Sequence, residues 1–414
     1  MPQKAVLLLI LSFVLAPPVR AAGDILLGIS AAFQGPSKGL GIELYRGAMA
    51  YIMDINKKGG INGRTIIVKA YDDNYNPAPA VKNTVRLVER DNALLLFNYV
   101  GTPTVTRVLP LLKKYSSRHA ILFFPFTGAQ PQREPPYGEF VFNLRASYRQ
   151  ETQGLVESFS RIGRSRIAVY YQNDAYGMSG FDGVKRALKK SNRAVAATAT
   201  YERGSKYASD YSRQVEILRK AQPDAIISVG AYAACAGFIR DARASGWDVP
   251  IANVSFVGSE SMLGLLIDEE RGAGKPRANN LVNSQVVPSY EDATLPAVRE
   301  YQKLMDAYDP APPPDVAEAG YKPLRYSFVS LEGFLDAKLL VEILRRMGDR
   351  VTDKAYLRQA AEGIRKFDLG IKAPVSFGPD RHQGLDMVYY TTVKDGKFIP
   401  MTQADWKSLE RKQP

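Results

Sequence analysis

Residues 24–73 read DILLGISAAFQGPSKGLGIELYRGAMAYIMDINKKGGINGRTIIVKAYDD and contain a strand, a helix and a second strand. Apolar residues alternate over 24–33, which predicts a strand running into a loop. Over 40–58 they recur every three or four positions, and Gly59-Gly60 then ends the predicted helix. Alternation returns over 64–72. Two strands joined by such a helix are expected to lie parallel in one sheet.

The same alternation continues along the rest of the chain. Further strands are predicted over 93–97, 120–124, 166–171, 194–201, 225–229, 249–254 and 281–287. Helices are predicted over 81–91, from Thr102 as N-cap with Pro103 following, and over 180–190, 210–221, 233–245, 295–308 and a stretch ending near Arg346. Short antiparallel strands are predicted at 375–377, 387–392 and 398–400. This order predicts an α/β fold with two doubly wound parallel-sheet lobes.

Composition argues against catalysis and against nucleic acid. The chain has 414 residues, and 55 Lys and Arg against 42 Asp and Glu give a net charge of +13. Phosphate-loop, dinucleotide-binding, HExxH and CxxC motifs are absent, and two histidines with one cysteine, Cys235, are too few for the usual metal sites. The densest basic cluster, over 185–193, is soon followed by acids, as on a solvated helix face. We therefore predict no enzyme, no metal, no cofactor and no nucleic-acid partner, and a buried Cys235.

The first 21 residues predict secretion. Lys4 precedes an uncharged, largely apolar run over 5–16, followed by two prolines and Val19-Arg20-Ala21. This pattern is typical of a signal peptide cleaved after Ala21, and the run is too short to span a bilayer. No cysteine follows the cleavage point, so a thioether-linked lipid anchor is not expected. We predict a soluble periplasmic protein, expected to be a monomer.

A set of short motifs then carries a family resemblance. They are Gly59-Gly60-Ile61-Asn62-Gly63, Tyr71-Asp72-Asp73, Gly101-Thr102-Pro103-Thr104, Pro125-Phe126-Thr127-Gly128-Ala129, Asp174-Ala175-Tyr176-Gly177, Gly230-Ala231-Tyr232 and the closing Val393-Lys394-Asp395-Gly396-Lys397-Phe398. In order and spacing the chain resembles the periplasmic Leu/Ile/Val-type solute-binding proteins of ABC importers. The resemblance implies a type I periplasmic binding fold whose two lobes are joined by three hinge strands and close over a ligand.

The resemblance also implies lobe boundaries. Lobe 1 is expected to comprise 22–145 plus 285–372, and lobe 2 to comprise 146–284 plus 373–414. The chain should cross between them near 143–148, 281–288 and 372–377. The implied partners are a small carboxylate ligand and an ABC permease in the inner membrane. A soluble module that presents its ligand to a membrane signalling receptor fits the sequence as an alternative.

The candidate ligand-binding residues follow from strand ends and from the resemblance. In open α/β sheets, ligands bind beyond the carboxyl ends of strands, near helix N-termini. Strand ends in lobe 1 give Tyr99, Thr102, Phe126, Thr127 and Gly128. The resemblance gives Tyr176 and Tyr232, which would close over the ligand from lobe 2.

One position departs from the family. Ser255 and Phe256, the remaining candidate ligand-binding residues, stand where the family often has an acid that pairs with the ligand's ammonium. Glu260 is an alternative source of that charge. We predict an aromatic-rich site that holds a carboxylate at Thr102, Thr127 and Gly128. The ligand is a hydrophobic amino acid if Glu260 reaches the ammonium, and an apolar or aromatic acid without an amine if it does not.

Overall fold

The structure, a computed structural model, describes residues 23–273 and 277–411. The predicted signal peptide lies outside the described residues. Among the described residues, no helix is both long and apolar enough to cross a membrane.

The described residues form fourteen strands and twelve α-helices. The strands are β1 Ile25–Ala31, β2 Ile66–Asp72, β3 Leu95–Phe97, β4 Leu122–Phe123, β5 Val141–Phe142, β6 Ile167–Gln172, β7 Thr198–Tyr201, β8 Ala225–Val229, β9 Ile251–Asn253, β10 Leu281–Gln285, β11 Phe367–Asp368, β12 Pro374–Val375, β13 Tyr389–Lys394 and β14 Lys397–Pro400. The helices are α1 Lys38–Lys57, α2 Pro77–Glu89, α3 Thr102–Lys114, α4 Tyr148–Arg161, α5 Ala175–Lys189, α6 Ser212–Lys220, α7 Tyr232–Ala244, α8 Ser259–Ala273, α9 Pro296–Tyr308, α10 Phe328–Arg346, α11 Lys354–Glu362 and α12 Gln403–Ser408.

The first sheet has the order β2-β1-β3-β4-β5, with every pair parallel. One face packs against α2 and α3 and forms a separate apolar core. Helices α1 and α10 pack together, and the rings of Tyr51 and Phe334 meet there at 5.3 Å. A late segment of the chain therefore belongs to the first lobe, as expected for a chain that crosses between lobes more than once.

The second sheet has the order β14-β13-β10-β9-β8-β6-β7. Strands β6 to β10 are parallel, whereas β13 and β14 form an antiparallel hairpin on the β10 edge. The predicted α/β architecture with two mainly parallel sheets is confirmed. The short strand near residue 375 is the exception, because β12 pairs with β11 and not with the terminal hairpin.

Several local predictions need correction. Thr102 is the first residue of α3 and not its N-cap, which is Gly101 with a φ of 100°. A left-handed φ of this kind costs a glycine little, since it has no Cβ. Helices α4 and α8 were not predicted. For α4 the signal is present in Ser147 and Gln150, whose side chains form a capping box.

The third crossing lies later in the chain than expected. The rings of Phe377 and His382 pack on Phe142 of β5 at 5.2 and 3.9 Å, and Gln383 bridges to Asn143. Only from β13 onward does the chain join the second sheet. These contacts favour a third crossing between residues 383 and 389 in place of 372–377, and the division into lobes at 145 and 285 stays a prediction.

The single cysteine is buried, as predicted. Cys235 has no exposed surface, and burial raises the pKa of its thiol to about 12. Only the thiolate is a good nucleophile, so this thiol is unreactive near neutral pH.

Candidate ligand-binding site

Two threonine hydroxyls meet at the start of α3. The Oγ1 atoms of Thr102 and Thr127 lie 2.7 Å apart, and both residues are buried. Thr102 opens the helix, where the first backbone N–H groups have no intrahelical acceptor. The structure thus brings together two of the predicted carboxylate-binding residues. Thr102 lies beyond the end of β3, and Thr127 lies beyond the end of β4.

Tyr148 joins this pair and was not predicted. It is the first residue of α4, it is fully buried, and its hydroxyl forms no hydrogen bond of good length and angle with the described residues. Burial raises its pKa, while Arg145 and the nearby hydroxyls of Thr102 and Thr127 act in the opposite direction. Three hydroxyls therefore gather in one buried corner, which we call the hydroxyl corner.

Gly128 lets Tyr148 come this close. A Cβ added at Gly128 would lie 2.6 Å from Cδ1 and 2.7 Å from the backbone nitrogen of Tyr148. The same nitrogen donates to the Gly128 carbonyl oxygen at 2.7 Å. Gly128 thus supports the hydroxyl corner through its lack of a side chain, and the contact of its amide with a ligand stays a prediction.

Aromatic rings from both lobes surround Phe256, which lies in a short turn after β9. The ring centroid of Phe256 is 4.6 Å from that of Tyr176, 5.2 Å from Phe126 and 5.8 Å from Tyr75. The rings of Tyr148 and Tyr176 are 5.2 Å apart, which joins this aromatic cluster to the hydroxyl corner. Phe126, Tyr176 and Phe256 thus come together as the sequence suggests, while Tyr75 and Tyr148 were missed.

Two predicted residues lie elsewhere. Tyr99 packs in the core under α2 and α3, apart from the aromatic cluster, and its hydroxyl is 3.1 Å from Thr84 Oγ1. Tyr232 accepts a hydrogen bond from the Gly39 N–H at 3.2 Å. Because Gly39 belongs to α1 and Tyr232 to α7, this bond joins the two lobes, and it leaves Tyr232 apart from the aromatic cluster.

A buried arginine lies against the aromatic cluster. Arg145, in the first crossing between sheets, is 1% exposed, and its guanidinium carbon is 4.5 Å from the ring centroid of Phe126. Its nitrogens lie 3.5 Å from Glu332 and 3.7 Å from Glu151. Burial lowers the pKa of Arg145, but the carboxylates, Glu332 foremost, outweigh this and raise it.

Ser255 forms hydrogen bonds with two of these charged side chains, Glu151 and Arg145. Its backbone N–H and hydroxyl donate to the two carboxylate oxygens of Glu151 at 2.8 and 3.1 Å, and its hydroxyl also accepts from Arg145 Nη2. Its side chain therefore holds the crossing between the lobes together, and its contact with a ligand stays a prediction. Sequence spacing could not reveal this, since its partners come from a distant part of the chain.

Glu260 is held at the start of α10. Its Oε2 accepts from the Phe328 N–H at 3.4 Å. Burial raises the pKa of Glu260 to about 8, although hydrogen bonds from backbone N–H groups and from the Tyr290 hydroxyl act against the rise. Near neutral pH the carboxyl is therefore mainly protonated, a poor counter-charge for an ammonium.

This pKa predicts a pH dependence of stability. The folded-state pKa of about 8 exceeds the ordinary value of 4.5, so the stabilisation is complete below pH 4.5 and is lost as pH rises through about 8. Urea unfolding at pH 5.5 and at pH 8.5 measures how much unfolding free energy the protein loses between these two pH values. We expect this loss to be smaller in Glu260→Gln than in the wild type by roughly 2–4 kcal/mol. The control Glu157→Gln, at an exposed position, should leave the loss unchanged. Equal losses in wild type and Glu260→Gln would contradict the assignment.

Two α/β lobes that meet around a buried site are the architecture of a periplasmic binding protein, and the comparison with known families agrees. The model of the periplasmic binding protein family matches residues 24–397, and the chain belongs to that family. The family is non-catalytic, which confirms that this protein is not an enzyme.

Individual relatives indicate which kind of periplasmic binding protein the chain resembles. A solved structure of a possible leucine/isoleucine/valine-binding protein from Rhodopirellula baltica is 31% identical, with a TM-score of 0.82 over 95% of this chain and 99% of that one. The amino acid binding protein of Pseudomonas aeruginosa is 26% identical over 59% of this chain and 64% of its own length. The Leu/Ile/Val-binding protein of Escherichia coli K12 is 25% identical over 66% and 74%. The resemblance to Leu/Ile/Val-type binding proteins is thus confirmed.

Proposed function

We propose that this protein captures a small carboxylate with an apolar body in the periplasm and delivers it to an ABC importer in the inner membrane. Family membership and the names of the relatives support the general role. The observation that supports the ligand class is the hydroxyl corner, where the hydroxyls of Thr102, Thr127 and Tyr148 meet at a helix N-terminus.

The physical basis is the pairing of an anion with a helix start. Free N–H groups and the positive end of the helix dipole favour a carboxylate, and hydroxyl donors add charge-assisted hydrogen bonds. The aromatic cluster then offers apolar surface for the rest of the ligand, at about 25 cal/mol per Å2 before ordering costs. Together these features favour a carboxylic acid with an aliphatic or aromatic body.

The charges near the site favour a ligand without an amine. Glu260 is bound at Phe328 and Tyr290. The charged side chain over the Phe126 ring is a cation, Arg145, which Glu332 and Glu151 approach to 3.5 and 3.7 Å. A buried ammonium without a counter-charge is costly. Thermal-shift assays should compare leucine with 4-methylpentanoate and phenylalanine with 3-phenylpropanoate. We expect the deaminated acids to stabilise the protein at least as well; stabilisation by the amino acids alone would identify an amino-acid binder.

The hydroxyl corner makes a direct mutational prediction. Thr127→Val keeps the side-chain shape but removes a hydroxyl, so affinity for a carboxylate that binds the wild type should fall about ten- to hundred-fold in calorimetry. Thr106→Val is the matched control, since the Thr106 hydroxyl bonds only within α3, to the Thr102 carbonyl oxygen at 2.7 Å and more weakly to that of Pro103. Wild-type affinity in Thr127→Val would place the carboxylate elsewhere.

Delivery to an importer is tested in cells. Deletion of the gene should abolish high-affinity uptake of the radiolabelled ligand identified in vitro, and expression of the wild-type chain should restore it. Restoration by Thr127→Val should be weaker at low ligand concentration, since capture is then limiting. Unchanged uptake after deletion would contradict the transport role.

A further inference from the structure

Arg145 is buried with much of its hydrogen-bonding capacity unused. A guanidinium carries five N–H donors, and here Nε and Nη1 donate to no acceptor among the described residues. Within the described part of the chain, Nη2 is the one nitrogen that makes a hydrogen bond, to Ser255 Oγ. Buried donors without acceptors cost free energy, so a ligand atom that accepted from Arg145 would recover it.

The neighbouring carboxylates do not fill this gap. Glu332 and Glu151 approach to 3.5 and 3.7 Å, beyond a good hydrogen bond. Glu151 is already engaged by Ser255 and by the Ser284 hydroxyl, which donates to it at 2.7 Å. Burial raises the pKa of Glu332, and the charge of Arg145 acts against that rise.

Position links Arg145 to the ligand site. Its guanidinium carbon lies 4.5 Å from the ring centroid of Phe126 and 5.9 Å from that of Tyr148. Phe126 precedes Thr127 in the chain, and Tyr148 carries the third hydroxyl of the hydroxyl corner. The guanidinium of Arg145 therefore lies beside the aromatic cluster and beside the ring that carries the third hydroxyl of the hydroxyl corner.

Resting on the proposed function, we propose that Arg145 binds a second oxygen group of the ligand, and that the ligand class is a dicarboxylate with an apolar body. One carboxylate binds at the hydroxyl corner. The other accepts from the planar fork of Arg145, whose geometry suits a carboxylate. A cation at this position also discriminates against ligands with an ammonium at that end.

Calorimetry with two series of ligands tests the preference for a dicarboxylate. The protein is the wild-type chain without the predicted signal peptide. The aliphatic series is hexanoate, hexanedioate and 6-aminohexanoate. The aromatic series is 3-phenylpropanoate, 3-(4-carboxyphenyl)propanoate and 3-(4-aminomethylphenyl)propanoate. In the series that fits the site, we expect the dicarboxylate to bind at least about ten-fold more tightly than the monocarboxylate, and the amino acid to bind most weakly.

Variants identify the residue responsible. Arg145→Gln should remove the preference for the dicarboxylate over the monocarboxylate. Arg149→Gln is the matched control, because Arg149 is partly exposed and forms ion pairs with Glu134 and Asp182. If Arg145→Gln does not fold, the ligand series on the wild type decides alone.

The outcomes separate this inference from the proposed function. Monocarboxylates that bind as tightly as dicarboxylates, with binding sensitive to Thr127→Val, overturn the role of Arg145 and leave the carboxylate site standing. A preference for the ammonium ligands overturns it as well. If no carboxylate of either series binds, the proposed function fails and this inference fails with it.

Discussion

Replacement of Arg145 by methionine is expected to lower the free energy of unfolding by about 3–5 kcal/mol. The methionine leaves two buried carboxyl groups, Glu151 and Glu332, without the cation that lies 3.5–3.7 Å away. Removal of one partner from a buried ionic group costs more than removal of the whole group, because a desolvated charge remains. Urea unfolding followed by circular dichroism measures the change.

The same experiment carries its own controls. Adding Glu332→Gln to Arg145→Met should recover part of the loss, since one uncompensated carboxyl disappears. Arg149→Met, at a partly exposed ion pair, should cost less than about 1 kcal/mol. If Arg145→Met is as stable as wild type, the buried group is not needed for the fold.

Replacement of Phe256 by alanine is expected to cost about 3–5 kcal/mol and to change ligand selection. The Phe256 ring is fully buried and contacts Tyr176, Phe126 and Tyr75, so its loss leaves a cavity in the middle of the aromatic cluster. We expect Phe256→Ala to gain affinity for bulkier apolar acids relative to smaller ones. Phe256→Leu, which fills more of the space, should show smaller effects on both quantities.

Phe238→Ala is the matched control for this prediction. Phe238 is also fully buried, but it stacks on Tyr170 at 4.1 Å within the second lobe, away from the aromatic cluster. It should cost a similar free energy without altering the order of ligand affinities. Calorimetry with acids of increasing chain length provides the comparison. An unchanged ligand order in Phe256→Ala would show that its ring does not limit the ligand.

Local patterns predicted the elements well where apolar periodicity was strong. Strands β1, β2 and β8 and helix α1 lie within a residue or two of the predicted ranges. The start of α3 differed by one residue, since the choice between Gly101 and Thr102 as N-cap depends on a backbone angle that periodicity does not contain.

The candidate site was predictable only in part. Thr102 and Thr127 could be inferred because the carboxyl ends of neighbouring parallel strands meet at one sheet edge. Tyr148 and Arg145 were missed because they lie in the first crossing, where no repeating pattern indicates where a side chain points. Tyr99 packs under α2 and α3 and apart from the other candidates, because its position after the end of β3 does not by itself say which way its side chain points.

The amino-acid sequence alone was sufficient for the α/β class, the strand-end threonines and the resemblance to solute-binding proteins, since each depends on residues close together in the chain. The tertiary structure was needed to find which distant residues meet. Glu332 of α10 reaches Arg145, Ser255 reaches Glu151, and Phe256 of one lobe packs on Phe126 of the other. These contacts join segments far apart in the chain, and they form only when the two separately packed lobes come together, which no local pattern encodes.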